Sequence, residues 1–268
     1  MKNLTEKELA NLYLQKLKIR FETKIEYDKY YLSYSGGKDS HLLYWFIKNV
    51  LKTDRIKIVS VNTRLEHVEI RKRMYANADV VLLPEMFPTE IIEKYGMPCF
   101  TKQQDEFIER YQNGLRSEFL MKRITREEKS KYNLNKKAGK LCLEGKLHRI
   151  SNRCCDISKK QVLTKWGKEK NRKEILGVRG IESSTRQAAY HTCLSKKRRF
   201  TPLYDFTDDV MDAIYNVYDI PIPKLYQYTK RSGCIGCPYI NNVKRIEMDL
   251  RLATEQQRKY IIQLFKRS

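Results

Sequence analysis

Apolar and polar positions follow two alternating periods over the first third of the chain. Residues 4–23 set Leu4, Leu9, Leu12, Leu14, Leu17 and Ile19 among charged residues, which predicts an amphipathic helix with a broad apolar face. Residues 30–35 are rich in β-forming side chains and run straight into Gly36-Gly37, the profile of a strand ending in a tight turn. Leu42, Leu43, Trp45, Phe46, Ile47 and Val50 then predict a helix packed on a sheet. Residues 56–62 predict a second strand, 66–76 a second helix and 79–83 a third strand. Strands alternating with helices at this spacing imply an α/β fold with a parallel sheet flanked by helices, Rossmann-like in plan.

Further along, residues 104–120 read as a helix and 174–179 as a short strand-like run ending in Gly180. Residues 208–218 read as a helix capped by Thr207, 233–238 as a tight turn and 241–266 as a closing helix. The stretch 121–173 shows no clear period. The expected organisation is an α/β domain over residues 1–200 with a basic insertion at 121–173. A helical segment, 201–268, follows and carries a Cys-x-x-Cys turn.

The 268 residues suit one or two domains. No apolar run approaches the roughly 18 residues that cross a bilayer. The charged N-terminus lacks the apolar segment of a secretory signal, so the expectation is a soluble, cytoplasmic protein without a membrane partner. Charge adds more. The formal net charge is +22, and residues 121–199 hold 24 basic against 7 acidic residues. A block this basic favours a polyanionic partner, whether nucleic acid, nucleotide or acidic protein, although a lysine-rich solvated surface would give the same count. Seven cysteines, an odd number outside a secretory context, point away from a disulfide framework and toward metal or thiol chemistry.

The run Ser35-Gly36-Gly37-Lys38-Asp39-Ser40 lies between a predicted strand and a predicted helix. Two glycines let backbone approach an anion, the helix's first amides are unpaired and carry the positive end of its dipole, and Lys38 adds a full charge. The spacing is neither that of a Walker loop nor of a G-x-G-x-x-G turn. Asp39 has two readings, as a carboxylate near a nucleotide's Mg²⁺ or as an acidic cap on the first turn. Cys154-Cys155 and Cys234-x-x-Cys237 form a second constellation. Adjacent side chains diverge, so both sulfurs of the first pair reach one small ion only with strain. A cubane cluster presents iron corners spread in space and suits them better, with zinc as the alternative.

The loop resembles the PP-loop of the adenine nucleotide α-hydrolase superfamily, and the cysteine layout resembles that of the phosphoadenylyl sulfate (PAPS) reductase family. Other segments follow the same order. Residues 61–66, Val-Asn-Thr-Arg-Leu-Glu, fall where that family carries Asp-Thr-Gly, here with Asn62 for Asp and Arg64 for Gly. Residues 177–186, from Gly177 through Arg179 to Arg186, resemble its Gly-x-Arg-x-x-Glu-Ser-x-x-Arg segment. Residues 202–210 resemble its Pro-Leu-x-Asp-Trp-Thr segment, and Leu225-Tyr226 and Gly233-Cys234 continue the order.

The resemblance implies a bound nucleotide, ATP with Mg²⁺ or an adenylyl sulfate. It would be held by Ser33, Ser35, Gly36, Gly37, Lys38, Asp39, Ser40, Asn62, Thr63, Gly177 and Arg179. Lys38, Asp39, Arg179 and Arg186 would act in catalysis; the two guanidiniums suit forked binding of phosphate or sulfate. Cys154, Cys155, Cys234 and Cys237 would hold a 4Fe-4S cluster, or zinc. No cysteine follows Cys237, so the C-terminal nucleophile of sulfonucleotide reductases is not expected here. Cys99, Cys142 and Cys193 remain as thiols, each equally readable as a small buried residue. This combination is similar to the ATP-dependent sulfur-transfer members, DndC-type DNA phosphorothioation enzymes and cluster-dependent tRNA thiolases. It implies nucleic acid bound through residues 121–199, a sulfur-donor protein such as a cysteine desulfurase or a thiol reductant, and room for a homo-oligomer. A reductase that releases sulfite, and a non-catalytic nucleotide or Fe–S subunit of a DNA-modification or defence complex, are the competing implications.

Overall fold

The computed structural model describes residues 4–182, 184–195, 199–239 and 243–266. In chain order the helices are α1 (Glu6–Lys24), α2 (Lys38–Trp45), α3 (Val68–Asn77), α4 (Pro88–Tyr95), α5 (Lys102–Gln112), α6 (Glu118–Thr125), α7 (Lys136–Leu143), α8 (Val162–Glu169), α9 (Ser184–Ala189), α10 (Asp208–Val217), α11 (Val243–Leu252) and α12 (Glu255–Lys266). The strands are β1 (Tyr30–Ser33), β2 (Lys57–Val61), β3 (Val80–Leu82) and β4 (Lys173–Ile175). Contacts divide the chain into two compact units. Unit 1 comprises Met1–Asn62, His67–Leu83 and Val162–Ser232; unit 2 comprises Thr63–Glu66, Pro84–Gln161 and Gly233–Ser268. This division differs from the boundary at 200 expected from sequence. Residues 201–232 fall in the unit that holds the sheet, and the cysteine turn with its two terminal helices falls in the unit that holds residues 84–161.

Unit 1 is built on a four-stranded, all-parallel sheet of order β3-β2-β1-β4. The α/β class read from the alternating periods is therefore the observed one. Side chains alternate across the strands. Tyr31, Val59 and Val61 join Leu163 of α8 on one face, where the Trp166 ring meets that of Tyr31 at 5.1 Å. On the opposite face the Tyr30 ring contacts Phe200, which packs on Phe21 of α1, and Phe21 packs on Phe46 just beyond α2. The face of α1 that enters this core is Ala10, Tyr13, Leu14, Leu17 and Phe21, spaced at helical repeats. Leu4, Leu12 and Ile19, expected on that face, are exposed. The aromatic residues, not the leucine count, set the phase.

Unit 2 packs α5, α6 and α7 around Phe107, Ile108, Leu120, Ile124, Leu134, Cys142 and Ile150. Gly139 lets α7 press on α6, since a Cβ there would sit 2.5 Å from the Ile124 carbonyl oxygen. The single helix expected over 104–120 is two. Gly114, with φ of +91°, breaks it, and the Ser117 hydroxyl caps the second by accepting from the Leu120 N–H. The closing helix is likewise split, with the Thr254 hydroxyl accepting from the Gln257 N–H at 3.3 Å.

Replacing the fully buried Phe21 with Ala is expected to cost about 3–5 kcal/mol. Ile19→Ala, at a position 59% exposed, should change stability by no more than about 0.5 kcal/mol. Urea unfolding midpoints of the two variants check the contrast.

Candidate functional site

The parallel order places a switch point between β1 and β4. The chain leaves β1 toward β2 on one side, and β4 lies on the other. Crevices at such points, at the carboxyl ends of the strands, are where open α/β sheets bind ligands. The loops that follow β1 and β4 meet there. Gly177 makes this approach: a Cβ would stand 2.9 Å from the Ser40 amide nitrogen and 3.0 Å from the Asp39 carbonyl carbon.

Gly36 adopts a φ of +71°, and Gly37 occupies the N-cap of α2 with extended backbone. The loop is cross-braced by serines. The Ser35 N–H donates to the Ser40 hydroxyl (3.2 Å), which in turn donates to the Gly37 carbonyl (3.1 Å). Gly37 is also needed for space, since a Cβ would lie 2.6 Å from Ser232 Oγ and 3.0 Å from Tyr226 Oη. The first-turn amide of Lys38 donates to the Tyr226 hydroxyl at 2.7 Å. The Lys38 ammonium donates to Asp212 Oδ1 at 2.5 Å and stands 5.2 Å above the Tyr215 ring.

These groups line a cleft of about 920 Å³ within unit 1. Six of its lining residues are cations (Lys38, Arg179, Arg186, Lys224, Lys230 and Arg231) against three carboxylates (Asp39, Asp208 and Asp212). Arg179 spans two of the acids, with Nε 2.8 Å from Asp39 Oδ1 and Nη1 2.7 Å from Asp208 Oδ1. The first is a close charge contact without hydrogen-bond angles; the second is a full hydrogen bond. That bond, reinforced by the Arg179 charge, holds the Asp208 carboxyl below its usual range. Arg186 is pushed the other way, first by burial and then by repulsion from Arg231. Two guanidiniums that raise each other's energy in a cleft form an arrangement that an anion relieves.

Of the expected nucleotide contacts, Ser35, Gly37, Lys38, Asp39, Ser40, Gly177 and Arg179 line this cleft, as does Arg186, expected in catalysis. Ser33 ends β1 in register with Val59 and lies outside the lining, as does Gly36, which packs on Ile70. Asn62 is buried and its amide donates to the Tyr75 hydroxyl at 2.8 Å. Thr63 belongs to unit 2, where its N–H and hydroxyl both donate to the buried Glu66. Ser183 of the 177–186 segment lies outside the described residues. Sequence reading missed Tyr226, Ser232, Asp208 and Asp212. Tyr226 stood in a segment already noted, but a role at the α2 amide depends on a fold-back of nearly 190 residues.

Cys154, Cys155, Cys234 and Cys237 all belong to unit 2 and are half-buried. The turn that carries the second pair has Gly236 at φ +64° and the Cys237 N–H donating to the Cys234 carbonyl at 3.3 Å. Burial and then the other three sulfurs push the Cys154 thiol up, and burial and then Cys234 push Cys237 up to about 12. The quartet thus shares one low-dielectric region. The Lys159 ammonium lies beside Cys234 and pairs with Glu66 at 3.0 Å. Among the described residues no three His, Cys, Asp or Glu side chains are arranged to hold a metal ion. The fit therefore rests on donor chemistry alone: four cysteine sulfurs in one region, with a lysine N–H at one of them, are the donor type of a thiolate-ligated cluster.

The basic block is shared between the units. In unit 2, Lys129, Lys131, Lys136 and Lys137 are exposed and make no ion pair among the described residues. No described helix is long and apolar enough to cross a membrane.

No protein-family model and no curated protein sequence matches the chain. Among solved structures it is similar to phosphoadenylyl-sulfate (PAPS) reductase from Candida auris in a phosphate complex. The identity is 13% and the TM-score 0.45, over 87% of this chain and 96% of that one. It is also similar to the U34-tRNA thiolase NcsA from Methanococcus maripaludis with its 4Fe-4S cluster, at 13% identity and a TM-score of 0.37, over 99% of this chain and 80% of that one.

Arg179→Gln should raise the Asp208 pKa toward the ordinary aspartate value, read by carboxyl-carbon NMR titration. In the parent chain a depressed carboxylate adds stability above its unfolded pKa and loses it as pH falls through the folded value. The variant should lose that acid-side contribution; an unmoved Asp208 titration would contradict the pairing.

Proposed function

We propose that the chain binds ATP in the unit 1 cleft and cleaves it between the α- and β-phosphates. The products are AMP and pyrophosphate, and the purpose is to activate a nucleic acid or nucleotide for sulfur transfer, as DndC-type members do. One observation carries this reading. The Ser-Gly-Gly-Lys-Asp-Ser loop opens α2 at the sheet's switch point, with Lys38 and the loop lining a cleft of net positive charge. The order of motifs along the chain supports it.

In this mechanism the α2 amides and Lys38 take the pyrophosphate end of the nucleotide. Lys38 first leaves Asp212, whose side chain is 59% exposed. Such a pair is worth about 0–1 kcal/mol, less than the roughly 1.5–3 kcal/mol of a hydrogen bond to a charged group. The Tyr226 hydroxyl yields the Lys38 N–H to a phosphate oxygen. An acceptor oxygen attacks the α-phosphorus, the bond to the bridging oxygen breaks, and its electron pair leaves with pyrophosphate. Lys38, Arg186 and Arg231 offset the growing charge, the preorganised electrostatic contribution that dominates phosphoryl chemistry. Magnesium arrives with ATP as part of the substrate. Arg179, committed to Asp39 and Asp208, is a positioning residue that ties the β4 loop to α2. A sulfur nucleophile then displaces AMP from the activated atom.

Cys154, Cys155, Cys234 and Cys237 would hold a 4Fe-4S cluster, which suits the adjacent pair better than zinc. Such a cluster supplies a thiolate-ligated iron centre of tunable potential. The exposed lysines of unit 2 suit a nucleic-acid backbone.

Anaerobic protein carrying iron and sulfide should form AMP and pyrophosphate with a nucleic-acid acceptor. Lys38→Ala should lower that rate by about 10²–10³-fold, and nucleic-acid binding should weaken steeply with salt. Formation of ADP, or no turnover with any nucleic acid, would overturn the proposal. Sulfite release from an adenylyl sulfate would favour a reductase instead.

A further inference from the structure

Unit 2 contains a thiol and an imidazole that the ATP chemistry does not use. Cys99 Sγ lies 3.2 Å from His148 Nε2, within hydrogen-bond reach for sulfur. Helix α5 fixes the backbone on both sides of this pair. Near its start the fully buried Asp105 accepts the N–H groups of Cys99 (2.8 Å) and Phe100 (2.9 Å). At its end Gln112 donates to the His148 carbonyl (2.8 Å) and accepts the Ile150 N–H (3.0 Å). The two residues are seven apart, about two turns, and so share one side of the helix. The segments themselves are joined by the Met97 N–H donating to the Arg149 carbonyl at 2.9 Å and by a parallel bridge between Met97 and Ile150. Gly96, at φ +112°, permits that approach, because a Cβ there would collide with the Arg149 carbonyl.

The pair is neutral. Burial, aided by the Asp105 charge, pushes the Cys99 thiol up to about 12, and burial pushes His148 down. Such a thiol is unreactive until a base removes its proton in the transition state, and an unprotonated imidazole at this distance is that base. Cys142, enclosed in the helical core, has no such partner. A cavity of about 330 Å³ opens on His148, with Met97 and Tyr260 also in its walls. Burial and then Cys154, Cys234 and Cys237 push the Tyr260 hydroxyl up. The cavity therefore has the imidazole and a tyrosine near Cys154, Cys234 and Cys237 among its lining residues.

We propose that Cys99 and His148 form a sulfur-accepting site that takes sulfane sulfur from a small persulfide reaching the partly exposed Cys99 thiol, with the cavity lined by the imidazole left outside the reaction. The proposal rests on the sulfur-transfer reading above and supplies its missing thiol. Cys99 sulfur attacks the outer sulfur of R–S–SH as its proton passes to His148. A new S–S bond forms at Cys99, the donor's S–S bond breaks, and the departing thiolate takes the proton. The products are a Cys99 persulfide and R–SH, with no external oxidant or reductant.

The test uses the full chain under anaerobic conditions, with cysteine persulfide as the probe, followed by alkylation and peptide mass spectrometry. Cys99 should gain sulfur first. His148→Gln should slow that loading at least tenfold, on the scale of general-base catalysis, at an unchanged thermal midpoint. If that variant does not fold, ethoxyformylation of His148 in the parent chain should produce the same slowing. Loading of Cys99 no faster than that of Cys142, or a rate indifferent to His148, would overturn the site. Cys99 loading that persists in a chain with no AMP formation would strike the ATP reading and leave this site intact.

Discussion

Unit 1 depends on the close passage of two backbones at the sheet's switch point. β1 and β4 are parallel neighbours whose following loops converge, and Gly177 lies against the Ser40 amide with no room for a side chain. That passage brings Arg179 within reach of Asp39, at the first turn of α2. It also lets the loop after β4 share a cleft with the loop after β1. A helix N-terminus alone offers a few amides and a partial charge. Here it shares a cleft with guanidiniums carried by segments after β4.

The cleft's cations pair with its carboxylates and also repel one another. Lys38 and Arg179 are matched with carboxylates, and the Lys38 amide is matched with the Tyr226 hydroxyl. Arg186 and Arg231 repel each other, and the Asp39 charge offsets part of that at Arg186. The matched groups set geometry at modest cost, because the Lys38 partner is largely exposed and therefore weakly bound. Repulsion between Arg186 and Arg231 is of the kind an anion relieves. A phosphate chain would exchange hydrogen bonds with the first set and relieve repulsion in the second.

Unit 2 treats sulfur in two different ways. Four thiols share one half-buried region with Lys159. Cys99 is held separately against an imidazole by backbone bonds that radiate from a single helix. The first sets four sulfurs beside a lysine ammonium, with burial still holding the Cys154, Cys234 and Cys237 thiols above their usual range. The second keeps sulfur neutral until its proton is taken. Asp105 clamps the Cys99 backbone and at the same time opposes ionisation of its thiol.

Local spacing determined the parallel α/β sheet, the strand-turn-helix around Gly36-Gly37 and the pairing of the cysteines into two motifs, because these follow from periods of two and 3.6 and from short-range turn chemistry. The phase of α1 was not legible, since Tyr13 and Phe21 outweigh the leucines once Phe200 and Phe46 are present to meet them. The breaks at Gly114 and Thr254 were legible in principle but were overridden by continuous apolar pattern on either side. What only tertiary structure decided are the long-range partners: Tyr226 on the Lys38 amide, Asp208 on Arg179, and His148 on Cys99. Each joins residues between 29 and 188 positions apart. Propensity and spacing act over a turn or a strand, whereas such pairs exist only after sheet order and helix packing have fixed where distant backbone runs.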